Sequence, residues 1–206
     1  MRRILQFLKF AIAITFALAV AQAASAQSDE PKENLSRVDL FGGYSYVRSN
    51  IVVSDTSINL NGGSGSVAYN FNGWLGIVGD VGIYHQGSIT ANRLSLTVST
   101  YQAGPRFSLR RHPRLTPFGQ VLLGAGHAGG TLYTTSLGGG LAPLGTSNAL
   151  VLTAGAGVDW KVTRSIGIRV IQAEYLYTQF NNGAGHGSDQ NNVRLSAGIV
   201  FSFGKR

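Results

Sequence analysis

The stretch Asn192–Phe203, NVRLSAGIVFSF, decides how the rest of the chain reads. Val193, Leu195, Ala197, Ile199, Phe201 and Phe203 fall on one face. Arg194, Ser196, Gly198, Val200 and Ser202 fall on the other. A period of two over this length is a β-strand. The odd face carries no polar side chain and ends in two aromatics, while the even face is small or charged. One such strand could belong to a soluble sheet. Repeated behind an export leader, the pattern predicts an outer-membrane barrel, apolar outside and polar within.

The repetition is there. Alternating stretches run over Val38–Val47, Gly65–Phe71, Trp74–Tyr84, Leu96–Leu109, Thr116–Gly126, Ala149–Lys161 and Ile166–Thr178. With the last strand this makes eight, an even number, as bacterial single-chain barrels have. The connections alternate in length. Asn72-Gly73, Arg110–Leu115 and Val162–Ser165 are short; Ser49–Asn61, Gln86–Leu94, Ala128–Asn148 and Phe180–Asn191 are long. Asn72-Gly73 is a strong hairpin signal, expected with φ > 0 at both turn positions. Short turns are expected in the periplasm and long loops outside, which puts both chain ends in the periplasm. Closure satisfies every backbone group in lipid and leaves no free edge.

Ser196, Gly198, Phe201 and Phe203 also fit the polar-x-Gly-x-x-aromatic-x-aromatic ending of bacterial outer-membrane barrels. From about Leu35 onward the chain resembles the eight-stranded OmpA/OmpX-type barrel family. That resemblance implies that the last strand is read by the barrel assembly machinery. Family members usually stop at the final Phe, whereas this chain adds Gly204, Lys205 and Arg206. Relatives often carry a peptidoglycan-binding domain after the barrel; this sequence ends at the barrel, and that activity is not carried over.

Met1–Ala26 has the form of a secretory signal. Arg2, Arg3 and Lys9 are its positive end, Phe10–Ala21 its apolar core, and Ala24-Ser25-Ala26 a small-x-small cleavage site. The core is short of the ~20 apolar residues a spanning helix needs. Residues 27–36 read as a polar arm and 37–206 as the barrel. Removing the three leader charges from the net +8 leaves +5. Arg110, Arg111, Arg114, Lys161, Arg164, Lys205 and Arg206 all map to the short-turn rim. A ring of charge at one barrel end is a solvated boundary and not a nucleic-acid face. Glycine is abundant at 28 residues, but the glycines sit inside alternating apolar runs, which argues against low-complexity disorder. With no cysteine there is no disulfide framework and no thiol chemistry.

Seven charges fall within the strands: Asp39, Asp80, Arg106, Asp159, Arg169, Glu174 and Arg194. An Arg or Lys facing mid-bilayer hydrocarbon costs about 2–4 kcal/mol. The seven are therefore expected in the lumen as an ion-pair and hydrogen-bond network that plugs the bore, with Asp80–Arg106 the leading pair. Arg169 and Glu174 are an odd number of residues apart, so strict alternation cannot put both inside. A β-bulge is expected near Val170–Gln172 to reset the phase. Pro105 donates no ladder bond, and a bulge is expected beside it as well. Trp160 and Phe203 sit where an aromatic girdle belongs.

The only histidines are His85, His127, His112 and His186. The first two lie near the outer rim and could in principle join Ser88 or Ser136, but a triad is defined by geometry. No phosphate loop or metal-ligand spacing occurs. The expectation is a non-enzymatic outer-membrane barrel with no catalytic, cofactor or metal site. Its role would be envelope integrity or surface contact, with outer-membrane lipid and lipopolysaccharide as its surroundings. A small passive porin and a lipid-modifying enzyme are the alternatives. A soluble lipocalin-like barrel is the rival fold; it would turn the Leu150/Leu152/Val158 face inward and Asp159 outward.

Overall fold

The computed structural model describes residues 36–51, 56–87, 95–110, 112–134, 140–181 and 187–205. They form eight strands: β1 (Ser36–Ile51), β2 (Thr56–Asn70), β3 (Leu75–Gln86), β4 (Ser95–Ser108), β5 (Leu115–Thr134), β6 (Gly140–Lys161), β7 (Ile166–Asn181) and β8 (Gly187–Lys205). Each strand pairs antiparallel with the next, and β8 returns to β1, closing an up-and-down barrel. The closing seam runs without interruption from Val38↔Phe203 to Ser49↔Asn192.

The faces sort as alternation predicts. Asp80, Arg169, Glu174 and Arg194 are buried, whereas Val193, Leu195, Ile199, Phe201 and Phe203 on β8 are exposed. So are Ile77, Val81 and Ile83 on β3. Leu150 is 54% exposed and Asp80 2%, which excludes the lipocalin-like arrangement. The lumen is not purely polar: Phe41, Val78, Phe118, Leu122 and Val151 are also buried. An eight-stranded bore is narrow enough for side chains to fill.

The bulge in β7 stands where parity requires it. Val158 pairs with Ile171 and Asp159 with Arg169, leaving Val170 as the extra residue. The pairing with β8 shifts across the same interval, Arg169 to Gln172. Val170 and Ile171 both face outward, so Arg169 and Glu174 both point in.

The bulge expected beside Pro105 does not form. Pairing of β4 with β5 passes from Ala103↔Leu123 to Arg106↔Gln120 in one register. Pro105 faces outward, and the ladder simply skips it. A second, unforeseen irregularity lies between Ala128 and Gly130, where β5 meets β6.

The short turns differ in detail from expectation. The chain reverses over Phe71–Trp74, with Asn72 Oδ1 accepting the N–H groups of Trp74 (3.0 Å) and Leu75 (2.7 Å). Among the described glycines only Gly204 takes a positive φ, at 75°. The turn before β7 uses the same device, with Thr163 Oγ1 accepting from Ser165 and Ile166. In both turns a side-chain acceptor serves the amides two and three residues on.

The expected loops are largely strand. Ser49–Asn61 was expected as a loop, yet Ser49 pairs with Ile58 and Ile51 with Thr56. The segments Ala128–Asn148 and Phe180–Asn191 likewise narrow to 135–139 and 182–186 between paired strands. Their serines, threonines and glycines lack the apolar alternation that marks a membrane strand, so the sequence there reads as loop. The wall is uneven. β3 ends one residue past His85, whereas β5 runs seven past His127.

Candidate functional site: the barrel lumen and its rims

The described charges in the lumen form three centres. At the short-turn end, Asp39 accepts from Ser36 (2.7 Å), Ser202 (2.6 Å) and Asn70 (2.8 Å) and pairs with Arg110 at 3.3 Å. Arg110 is therefore turned into the barrel end, not out at the rim with Arg114 and Arg164 as expected. The uncompensated Asp39 carboxylate draws it in. Arg111 and Arg206 lie outside the described residues.

The second centre is a stack. Arg169 grips Asp159 through Nε (2.7 Å) and Nη2 (3.1 Å) and donates to Gln172 at 2.6 Å. Its guanidinium lies 4.2 Å from the Phe41 ring centroid and 4.5 Å from that of Phe118. Arg106 covers Phe118 too, at 4.3 Å, and donates to Gln120 at 3.0 Å. Weakly hydrated guanidinium tolerates such stacking where an ammonium would not. The rings also lean over glycines. A Cβ on Gly157 would meet Phe118 at 2.6 Å, and one on Gly43 would meet Phe41 at 2.8 Å.

The third centre spans the middle. Arg194 donates to Glu174 at 2.6 Å, to Asp80 at 2.8 Å and to the Tyr84 hydroxyl at 2.7 Å. Gln120 donates to Glu174 at 2.8 Å, tying this centre to the stack. Above it, Tyr84 packs with Val47 and Leu60, joined by Ile58, Leu96 and Val98. All seven strand charges thus point inward or line the lumen end. The expected Asp80–Arg106 pair is absent. Asp80 is held by Arg194 from the far side of the bore, and Arg106 is held by Gln120 and Phe118.

The outer surface has two rims. At the short-turn end, Trp160 and Phe203 are half exposed as expected of a girdle. They are joined by Trp74 stacked on Phe107 and by Tyr69 edge-on to Phe71. At the far end the outward positions turn polar. Tyr46 bonds Asn59, Tyr44 bonds Asn61, and Tyr175 bonds Asn191. His85 and His127 belong to this belt, partnered by Thr97 at 2.9 Å and Asn148 at 2.7 Å. Both face outward, on strands separated by β4. Ser88, Ser136 and His186 lie outside the described residues, and His112 is exposed in the turn at the opposite end. Between the rims, β8 is apolar outside from Phe203 to Val193. At about 3.4 Å per residue and a tilt of about 40°, that run rises about 26 Å, the height of an outer-membrane apolar band.

A closed eight-stranded cylinder with greasy walls, charged contents and two interfacial rims defines a β-barrel membrane protein. The chain belongs to the outer membrane protein beta-barrel domain family, whose model matches residues 12–203. Three solved structures share the fold. Neisserial surface protein A is 18% identical, covers 83% of this chain and 100% of its own, and superposes with a TM-score of 0.63. Ail, the attachment invasion locus protein of Yersinia pestis, was solved with the heparin analogue sucrose octasulfate. It is 20% identical over 82% of this chain and 99% of its own, with a TM-score of 0.57. OprG of Pseudomonas aeruginosa is 11% identical over 85% of this chain and 99% of its own, at 0.53. No curated protein matches the chain.

Proposed function

We propose that this protein is a non-enzymatic envelope barrel whose bore is closed by its own side chains. Its role is in envelope integrity or surface contact. The observation that carries this reading is Arg194, fully buried and bonded at once to Asp80, Glu174 and Tyr84. Such a centre fastens β3, β7 and β8 across the lumen, and the apolar cluster over Tyr84 covers it. On this reading residues 1–26 are a cleaved signal, 27–36 a polar arm and 37–206 the barrel. The short turns and both termini lie in the periplasm, and the polar Tyr–Asn belt meets lipopolysaccharide. The C-terminal strand engages the assembly machinery.

The test is conductance. Purified protein in planar bilayers is expected to show no steady ohmic current; a steady one would establish the passive porin instead. Lipid A from cells with and without the protein should have one mass profile. A difference abolished by His85→Ala or His127→Ala would establish the enzyme.

A further inference from the structure

The lumen charges are unevenly distributed. The middle centre holds Asp80, Glu174 and one arginine, Arg194. The short-turn end holds Asp39 and Asp159 with three arginines, Arg110, Arg169 and Arg106. The first is one negative charge in excess and the second one positive. Arg106 is the surplus: it is 3% exposed and forms no ion pair among the described residues.

Three polar atoms at this end have no hydrogen-bond partner among the described residues: Arg106 Nη2, Arg110 Nε and Thr116 Oγ1. Two are obligate donors and the third can donate. Arg106 lies on the inner face of β4, Thr116 on that of β5, and Arg110 in the turn that joins the two strands. The Leu109 N–H bond to the Pro117 carbonyl, 2.7 Å, sets Arg110 beside Thr116. Phe118 lies across Gly157, its register partner, and so stays at its own level. Arg106, whose backbone pairs with Gln120, must reach toward the short-turn end to cover that ring. A buried unpaired charge is expensive, and burying donors without an acceptor adds to the penalty.

We propose that the short-turn end of the lumen binds one small inorganic anion of chloride size, held by Arg106, Arg110 and Thr116. The anion cancels the local surplus and accepts from all three donors. It is an integral part of the packed interior and is independent of whether the bore conducts.

The test is the midpoint of heat-induced unfolding of the folded protein in detergent, at constant ionic strength, with gluconate exchanged for chloride. Chloride should raise the wild-type midpoint saturably, by about 3 °C. Arg106→Gln should abolish the rise. Thr116→Val, which keeps the volume, should require roughly tenfold more chloride. Arg164→Gln, an exposed cation at the same end, should respond like the wild type. A wild type indifferent to chloride, or an Arg106→Gln protein that keeps the response, overturns the site. If Arg106→Gln does not fold, Thr116→Val decides: an unshifted chloride dependence there overturns the proposal.

Discussion

Arg194 is the side chain on which most of the interior converges. Removing it leaves Asp80 and Glu174 buried beside each other without a cation, and breaking such a centre from one side costs about 3–5 kcal/mol. Arg194→Met should therefore lower the urea midpoint of the lipid-embedded barrel sharply. The triple variant Arg194→Met/Asp80→Asn/Glu174→Gln should recover much of the loss, because no charge is orphaned. Equal destabilisation of the two would contradict the ion-pair account. That these charges face inward was legible from alternation and from the cost of a charge in hydrocarbon. Their partners were not. Neighbouring strands suggested Asp80 with Arg106, but a long guanidinium crosses a narrow bore as easily as it meets the adjacent strand. Arg194 reaches Asp80 from β8 to β3. Sequence distance and strand order carry no information about which of several inward residues meet in the middle.

At the scale of the element, β7 shows where local pattern suffices. Arg169 and Glu174 are five positions apart, and both must be inside; one extra residue resets the phase. Deleting Val170 should force one half of the strand out of phase, turning either Arg169 or Glu174 to the lipid. On a detergent gel the deletion should lose the heat-modifiable migration of the folded barrel. A deletion variant that still migrates as folded would mean the phase is reset elsewhere. Pro105 shows where pattern misleads. It lacks one donor, but an outward position lets the ladder skip it without a change of register. The strand ends were hidden for a different reason. Outside the lipid there is no need for an apolar face, so β1, β2, β5 and β6 continue through serine, threonine and glycine that read as loop. At Gly43 and Gly198 the pattern was legible but its meaning was not. An added Cβ would approach a neighbouring carbonyl within 2.2–2.3 Å, so these positions let adjacent strands close on each other.

For the whole molecule, closure and the two rims fix an axis, and the proposed orientation along it is open to direct measurement. The chain has no cysteine, so single-cysteine variants give clean labels. Ser136→Cys should react with a membrane-impermeant maleimide on intact cells. Arg164→Cys should react only after the outer membrane is permeabilised. The reverse pattern would invert the barrel. The unequal strand ends have a consequence of their own. β3 and β4 stop just past the polar belt, while β5 and β6 carry on well beyond it. The described strands are cut like a quill, with a low lip on one side and a tall back wall on the other. On the proposed orientation, a visitor travelling along the cell surface meets the strand wall low on one compass bearing and high on the opposite one.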